Sequence, residues 1–519
     1  MDTKALRQKV LDLAIRGKLV PQDPNDEPAS VLLERIRQQK QQMVKEGKLK
    51  AKDIKNDTVI FVGEDNLHYE KFADGSVKCI EDEIPFDLPE GWAWERLSNL
   101  AAFSGGKTPS TSRGEYWGEE VLWVTSKDMK SKYITSSQLR LSVLGAEQMQ
   151  VYQPNTLLLV TRSGILRHSL PVAILKECAT VNQDLKAIVL YMPELAEYIY
   201  VCLKGMEAQL LLKYTKSGTT VENVNFDEFQ RVLLPIAPSQ EIDRITAATG
   251  NADQIISSIE DNKKALTEHV GAAKAKILDL AIRGQLVPQN PADEPASVLL
   301  ERIRAEKEEL IRQGKIKRDK KESVIFRGED NSYYEKIGNK VEKIDDEIPF
   351  DLPNGWTWCR FSEVIELFSG QDLTPDKYSD IPQGIPYITG ASNLENGCVI
   401  VNRWTSSATT HVTIGDLLLT VKGSGIGKMA ICDIADAHIA RQIMALRCRN
   451  GIMQEYLRIV ISAFLTEITD QANGIIPGIR REVVLGTLFP LPPSSEQLKI
   501  SAKANCIIAI LQMIEKGLS

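Results

Sequence analysis

The longest regular pattern in the chain is a stripe of positions spaced alternately three and four residues apart. Ile242, Ile245, Thr249, Ala252, Ile256, Ile259, Lys263, Leu266, Val270, Ala273, Ile277 and Leu280 follow it. That spacing predicts a helix paired with another along a coiled-coil seam. Gly284 stands where a C-terminal stop glycine is expected. About forty residues rising ~1.5 Å each give a rod of roughly 60–65 Å. Thr249 and Lys263 are polar seam positions suited to fixing register, and Gly250 marks a weak point or kink. Ser239, and Ser495 before a similar C-terminal helix, are the expected N-caps, each with an acid in the first turn. Shorter runs rich in β-branched and apolar residues predict strands at 121–125, 156–161, 186–190, 385–389, 416–421 and 443–447. Helical patterns cover 194–204 and 453–464, so each half reads as mixed α+β.

These patterns occur twice. LDLAIRGKLVPQ (11–22) returns as LDLAIRGQLVPQ (278–289), and ASVLLERIR (29–37) returns at 296–304. VIFVGEDN (59–66) returns as VIFRGEDN (324–331), and DEIPFDLPEGW (82–92) as DEIPFDLPNGW (346–356). The chain is a tandem duplication. After Trp92 and Trp356 identity falls to a skeleton. Thr125-Ser126-Lys127-Asp128 faces Thr389-Gly390-Ala391-Ser392, Asn182-Gln183 faces Arg441-Gln442, and the copies converge again at Pro235 and Pro490. A shared scaffold carrying unlike faces implies one binding geometry and two targets.

The repeat is circularly permuted. Ile500, Ile507, Leu511 and Ile514 match Ile245, Ala252, Ile256 and Ile259, while Leu6, Val10 and Leu13 match Ala273, Ile277 and Leu280. The two termini therefore correspond to the two halves of the central helix. If they meet, they rebuild a second, composite helix antiparallel to the first, about a pseudo-twofold axis. The plan is a terminal half-helix (1–20), a charged helical arm (21–91), a variable domain (92–238) and the central helix (239–287). A second arm (288–355), a second variable domain (356–493) and the other half-helix (494–519) follow. The amphipathic helices within 23–58 and 290–323 read either as solvated arms or as contacts for a partner.

Polar and basic residues gather in loops after the variable-domain strands. The candidates for DNA contact are Thr125, Ser126, Lys127, Arg162, Ser163, Lys213, Lys216 and Ser217 in the first domain. In the second they are Thr389, Ser392, Lys422, Ser424, Lys428, Arg441, Gln442, Arg480 and Arg481. Arg and Lys bind phosphates or guanine edges, and Gln pairs with adenine. Glycines among them let the backbone approach a phosphate. The tryptophans read as core.

Composition narrows the choice further. With 43% hydrophobic and 26% charged residues the chain is globular, and 519 residues require more than one domain. A net charge of −7 excludes an overall basic coat but not a local basic cleft; partner subunits could supply phosphate neutralisation as well. No apolar run reaches membrane-spanning length and no signal peptide is apparent, so a cytoplasmic protein is expected. Eight cysteines without a C-x-x-C pair, and five histidines without H-E-x-x-H, predict reduced thiols and no metal site. An autonomous methyltransferase would need an Asn-Pro-Pro-Tyr or Asp-Pro-Pro-Tyr motif, which is absent. The stretch 423–428 fails the phosphate-loop spacing, with Met429 in place of the hydroxyl residue. A bare coiled-coil scaffold leaves the two differing sets of basic loops without a purpose.

Gly105-Gly106-Lys107-Thr108-Pro109-Ser110, Trp123 to Ser126, Asn182-Gln183-Asp184 and the Pro235, Pro238, Glu241 spacing together resemble a target-recognition domain of Type I restriction–modification specificity subunits. Lys422 to Lys428 with Arg441-Gln442 resembles a second type of such domain. The resemblance spans nearly the whole chain, including duplication and permutation. It departs in the inserted Lys107, and in Gly370-Gln-Asp-Leu-Thr-Pro375, which lacks the glycine-pair motif. The resemblance implies a non-catalytic subunit whose domains 92–238 and 356–493 each read half of a bipartite double-stranded DNA site, with the coiled coil as ruler. It also implies two modification subunits that methylate adenine N6 from S-adenosylmethionine, and motor-nuclease restriction subunits using ATP and Mg2+. The chain itself would bind no cofactor.

Overall fold

A computed structural model of the chain describes residues 2–216, 221–316, 318, 322–395, 397–423, 425–470 and 478–518. The chain forms two compact units, Met1–Asn262 and Lys263–Ser519. The helix Ser239–Ile282 begins in the first and ends in the second. It runs through Gly250 without interruption. Ser239 does not cap it, because its hydroxyl is buried without a partner and Ile242 N–H donates to the Pro238 carbonyl instead. The stop at Gly284 is as expected: φ is +65°, Gln285 N–H donates to the Leu280 carbonyl at 2.8 Å, and Gly284 N–H to Ala281. Gly17 repeats this geometry with φ +63° and a 2.8 Å bond from Lys18 N–H to Leu13.

In the first unit a five-stranded sheet runs in the order Ala101–Gly105, Leu185–Leu190, Leu157–Val160, Val172–Leu175, Tyr133–Ile134. A second sheet orders Ala179–Val181, Trp117–Val124 and Leu139–Leu141. The unbroken apolar run at 157–160 is explained by burial on both faces. Leu157 and Leu159 enter a core shared with the helices, while Leu158 and Val160 enter a second core with Leu122 and Val124. The second unit repeats this with Leu417 and Leu419 against Leu418. Its sheets run Ile365–Ser369, Ile443–Cys448, Leu417–Thr420, Met429–Ile431, and Tyr378–Ser379, Trp404–Thr405, Ile385–Ile388, Ala437–Ile439, His411–Val412. The expected helices appear as Ala196–Gly205 and the longer Gln454–Asp470.

The segments planned as helical arms prove only half helical. Ala29–Lys45 and Ala296–Arg312 are helices, but neither is a solvated arm: Leu32, Leu33 and Ile36, like Leu299, Leu300 and Ile303, are buried in the core of their own unit. A three-stranded antiparallel meander follows, Val59–Val62, His68–Lys71, Val77–Cys79 and then Ser323–Arg327, Tyr333–Ile337, Lys340–Lys343. An arginine, buried in the first unit and half-buried in the second, fastens each meander to the strand leading into its variable domain. Arg96 meets Glu70 at 2.8 Å and Glu83 at 2.9 Å; Arg360 meets Glu335 at 2.6 Å and Glu347 at 2.8 Å. Burial alone would raise the Glu83 carboxyl, but hydrogen bonds from Lys78 and Arg96 outweigh it and bring it down to about 2.

The terminal helices keep the repeat in their contacts. In the first unit Thr3–Ile15 packs near the first half of the long helix, with Arg7 2.7 Å from Asp253 and 3.4 Å from Glu260. In the second unit Ser494–Leu518 supplies Glu515, 2.5 Å from Lys274 on the second half. Lys274 holds the repeat position of Arg7, and Glu515 that of Glu260. Each variable domain is latched at its base in the same way. Trp92 Nε1 donates to Glu241 and Trp356 Nε1 to Glu496, both at 2.9 Å. Tyr198 and Tyr456 hydroxyls donate to the Pro235 and Pro490 carbonyls at 2.9 and 2.7 Å. Trp94, Trp123 and Trp358 are buried as expected, while Trp117 and Trp404 are half-buried. Among the described residues, no helix is long and apolar enough to cross a membrane.

Candidate nucleic-acid interface

The sequence-derived loops meet at the C-terminal ends of their strands. In the first unit Asn182 N–H donates to the Val124 carbonyl at 3.0 Å, and Lys107 N–H to the Val181 carbonyl at 3.0 Å. The Asp184 carbonyl accepts from both Thr161 N–H at 2.9 Å and the Thr161 hydroxyl at 3.1 Å. Loops 105–110, 125–128, 161–163 and 182–184 are thereby tied into one platform. Arg162 forms an isolated bridge with Asn223, and Lys216 pairs with Asn223 in the strand register. Thus Thr125, Ser126, Lys127, Arg162, Ser163 and Lys216 come together, and Lys127, Arg162 and Lys216 are exposed. Asp128 turns inward: its carboxylate accepts from Thr125 N–H and hydroxyl, both at 2.8 Å, and from Gln138 N–H at 2.9 Å. The acid is thus occupied in shaping the loop, while Lys127 faces solvent. Lys213 extends from the helix Glu207–Tyr214 with its ammonium 5.6 Å from the Tyr214 ring. Ser217 lies outside the described residues.

The second platform uses the same backbone bonds. Ala440 N–H donates to Ile388 at 2.9 Å, Gln371 N–H to Ile439 at 2.9 Å, and Val421 N–H to Gln442 at 2.8 Å. Thr389 N–H and hydroxyl donate to Asn393 Oδ1 at 3.0 and 2.9 Å, the role Asp128 fills in the first unit. Lys428 Nζ reaches the Ala391 carbonyl at 3.4 Å beside exposed Ser392, and Lys422 bridges Gly478. Thr389, Ser392, Lys422, Lys428, Arg441 and Gln442 are therefore neighbours. Arg480 is exposed at the start of Arg481–Gly486, whereas the Arg481 guanidinium donates to the Leu367 carbonyl. Ser424 lies outside the described residues. Beneath the loop, buried His438 places Nε2 3.0 Å from the Gln371 carbonyl, and burial lowers its pKa.

These bonds correct the sequence pairing of the two domains by one residue. Asn182 corresponds to Ala440, Gln183 to Arg441 and Asp184 to Gln442, because the strand pairs Leu185 with Val160 as it pairs Ile443 with Thr420. They also place Gly370-Gln371 where Gly106-Lys107 stands, so the glycine geometry is present in the second domain although its motif is not. At Gly106 an added Cβ would lie 2.0 Å from the Val181 oxygen, and at Gly370 2.1 Å from that of Ala440. These two glycines serve close packing of the loop on the adjacent strand. Gly106→Ala and Gly370→Ala are each expected to cost about 1–3 kcal/mol through overpacking; scanning calorimetry of each variant checks this, and unchanged melting would refute it. In each unit a side-chain pair closes the loop: the Thr108 hydroxyl donates to Gln183 Oε1 at 2.6 Å, and Arg441 Nε lies 2.7 Å from Asp372. Lys107, Gln183, Asn223, Gln371 and Asp372 were not among the candidate contacts; Gly106 and Gly370 were the signal available for that loop.

No family model matches the chain. Two curated relatives match along almost its full length. The EcoAI Type I restriction enzyme specificity subunit of Escherichia coli is 25% identical, covering 97% of this chain and 89% of the relative. The EcoEI specificity subunit, also of Escherichia coli, is 26% identical over 99% and 90%. The chain is a homologue of Type I restriction specificity subunits. A solved chain from a study of assembly and conformational transition of a type I R-M system aligns with 84% of this chain and 94% of its own length. Its TM-score is 0.51 at 17% identity, which shows a shared fold. The mixed α+β class stands with this homology.

Proposed function

We propose that each variable domain reads one half of a bipartite double-stranded DNA site, and that the helices set the gap between halves. The observation that carries this is the pair of platforms with one backbone geometry and different side chains: Thr108 and Gln183 in one, Asp372 and Arg441 in the other. Gln suits adenine edges and Arg suits guanine edges or phosphates. In this reading the terminal helices join as a composite partner to the long helix, antiparallel to it, and relate the domains by a pseudo-twofold. The 44-residue helix is roughly 66 Å long, slightly under two turns of B-DNA at about 34–36 Å per turn. Two modification subunits dock on this frame and methylate flipped adenines with S-adenosylmethionine. Restriction subunits bring ATP and Mg2+, this chain binds no cofactor, and the complex works in the cytoplasm.

Mapping methylated adenines in a genome carrying the complex tests the reading: one two-part site with a fixed gap is expected, and scattered or one-part sites refute it. Removing one heptad from both the long helix and its composite partner is expected to shorten the gap by about 3 base pairs, since seven residues rise ~10.5 Å. An unchanged gap in the same mapping would exclude the ruler.

A further inference from the structure

The two meanders expose the same apolar face. In the first unit Phe61 pairs with Tyr69, and Lys71 with Val59 and Val77, so these five side chains share one side of the sheet. Val59, Phe61 and Val77 are 40%, 41% and 51% exposed. In the second unit Val324, Phe326, Tyr334, Lys336 and Val341 take the same places, with Phe326 and Val341 41% and 50% exposed. The rings stack alike: Phe61 on Tyr69 at 5.8 Å, Phe326 on Tyr334 at 5.9 Å. Each tyrosine hydroxyl donates to an aspartate, Asp65 at 2.7 Å or Asp330 at 3.0 Å, which holds the aromatic pair in place before any partner arrives.

Core packing cannot explain identity at exposed positions. Nearby solvent-facing positions of the preceding helix have drifted, with Gln38, Gln39 and Gln41 replaced by Ala305, Glu306 and Glu308. The variable domains have drifted further still. A Val–Phe–Tyr–Lys–Val face retained twice, beside exposed helix positions that have changed, fits a partner that is present twice and is the same each time. DNA is not that partner: the face is apolar, and Glu64, Asp65, Glu329 and Asp330 stand exposed or half-exposed at its edge. Half-exposed aromatics beside Lys71 in the first unit, and beside Lys336 and Lys343 in the second, where Lys343 stands in place of Cys79, suit a protein surface carrying an apolar patch and a carboxylate opposite Lys71 or Lys336.

We propose that each meander face docks one modification subunit. This rests on the function proposed above. A methylating subunit must reach the half-site read by its neighbouring domain, and Arg96 and Arg360 lock each face to the strand that leads into its own domain.

The test uses the full chain with the modification subunit of the same system, with binding measured by native mass spectrometry and titration. Wild type is expected to take two copies. Phe61→Asp or Phe326→Asp alone is expected to leave one tight site, and the double variant to weaken binding at least tenfold. Lys71→Glu with Lys336→Glu, at exposed positions outside the core, should weaken it in the same direction while melting is unchanged. Two tight sites on a folded double variant would overturn the docking face, as would loss of restriction-subunit binding alone. Failure of wild type to bind any modification subunit would instead refute the function on which it rests.

Discussion

A chain in which residues 356–493 are replaced by a second copy of 92–238 is expected to direct methylation to a site whose two halves are the same sequence in inverted orientation. The expectation follows from the proposed pseudo-twofold, which points two copies of one domain in opposite directions along the duplex. The graft should fold because both junctions offer the same partners. Trp92 would meet Glu496 in place of Glu241, and the two native bonds are alike at 2.9 Å. Tyr198 brings Pro235 with it, since both lie inside the transplanted segment. The gap should stay as in wild type, because no helix changes length. Mapping of methylated adenines reads the outcome directly. Halves in direct repeat would show that the domains point the same way along the rod, and the antiparallel composite helix would then be wrong.

The parts of this frame that were legible in the sequence are those where one physical constraint fixes one pattern. Gly284 had to be glycine because the helix stop needs a positive φ, and that position could be named in advance; Gly17 takes the same geometry at its place in the repeat. The run at 157–160 predicted a strand because a segment buried on two faces needs apolar side chains throughout. The meanders were missed. Their strands are three to five residues long and their outward faces carry Val, Phe and Tyr among charged residues, which breaks the alternation that marks a half-buried strand. Ser239 misled in the opposite way: its residue type suits a cap, but the preceding Pro238 carbonyl already accepts the first helical bond. The loop platforms were named loop by loop, yet their pairing slipped by one residue, because Asn182-Gln183 and Arg441-Gln442 look alike as strings. Only the ladder from Leu185 and Ile443 fixes the register. Lys107 and Gln371 share a place that no identity between them could reveal.

Exchange of side chains within one frame leaves the first unit with a buried acid of measurable consequence. At Glu95 the first unit places a carboxyl whose side chain is 3% exposed. Oε1 accepts from Arg96 N–H at 2.8 Å and Asn99 at 2.6 Å, while the nearest cation, Arg37, is 3.7 Å from Oε2. Burial outweighs these contacts and pushes the Glu95 pKa up from 4.5 to about 7. The second unit has Cys359 at this place and moves the acid one turn on to Glu363, where Arg304 approaches to 2.7 Å. Because the folded pKa of Glu95 lies above the unfolded one, the folded state binds the proton more tightly. Its contribution is fully present below about pH 4.5 and is lost as pH rises toward 7. At 1.36 kcal/mol per pH unit, that window is worth about 3 kcal/mol. Glu95→Gln keeps an oxygen for Arg96 and Asn99 and removes the titration. Relative to wild type, the variant is therefore expected to gain about 3 kcal/mol between pH 4 and pH 8, read from denaturant unfolding at several pH values. Glu70 and Glu83, held low by Arg96, titrate alike in both proteins and cancel in the difference. Curves that stay parallel over that range would show that Glu95 ionises in the fold as it does in the open chain, with Arg37 close enough to hold its charge.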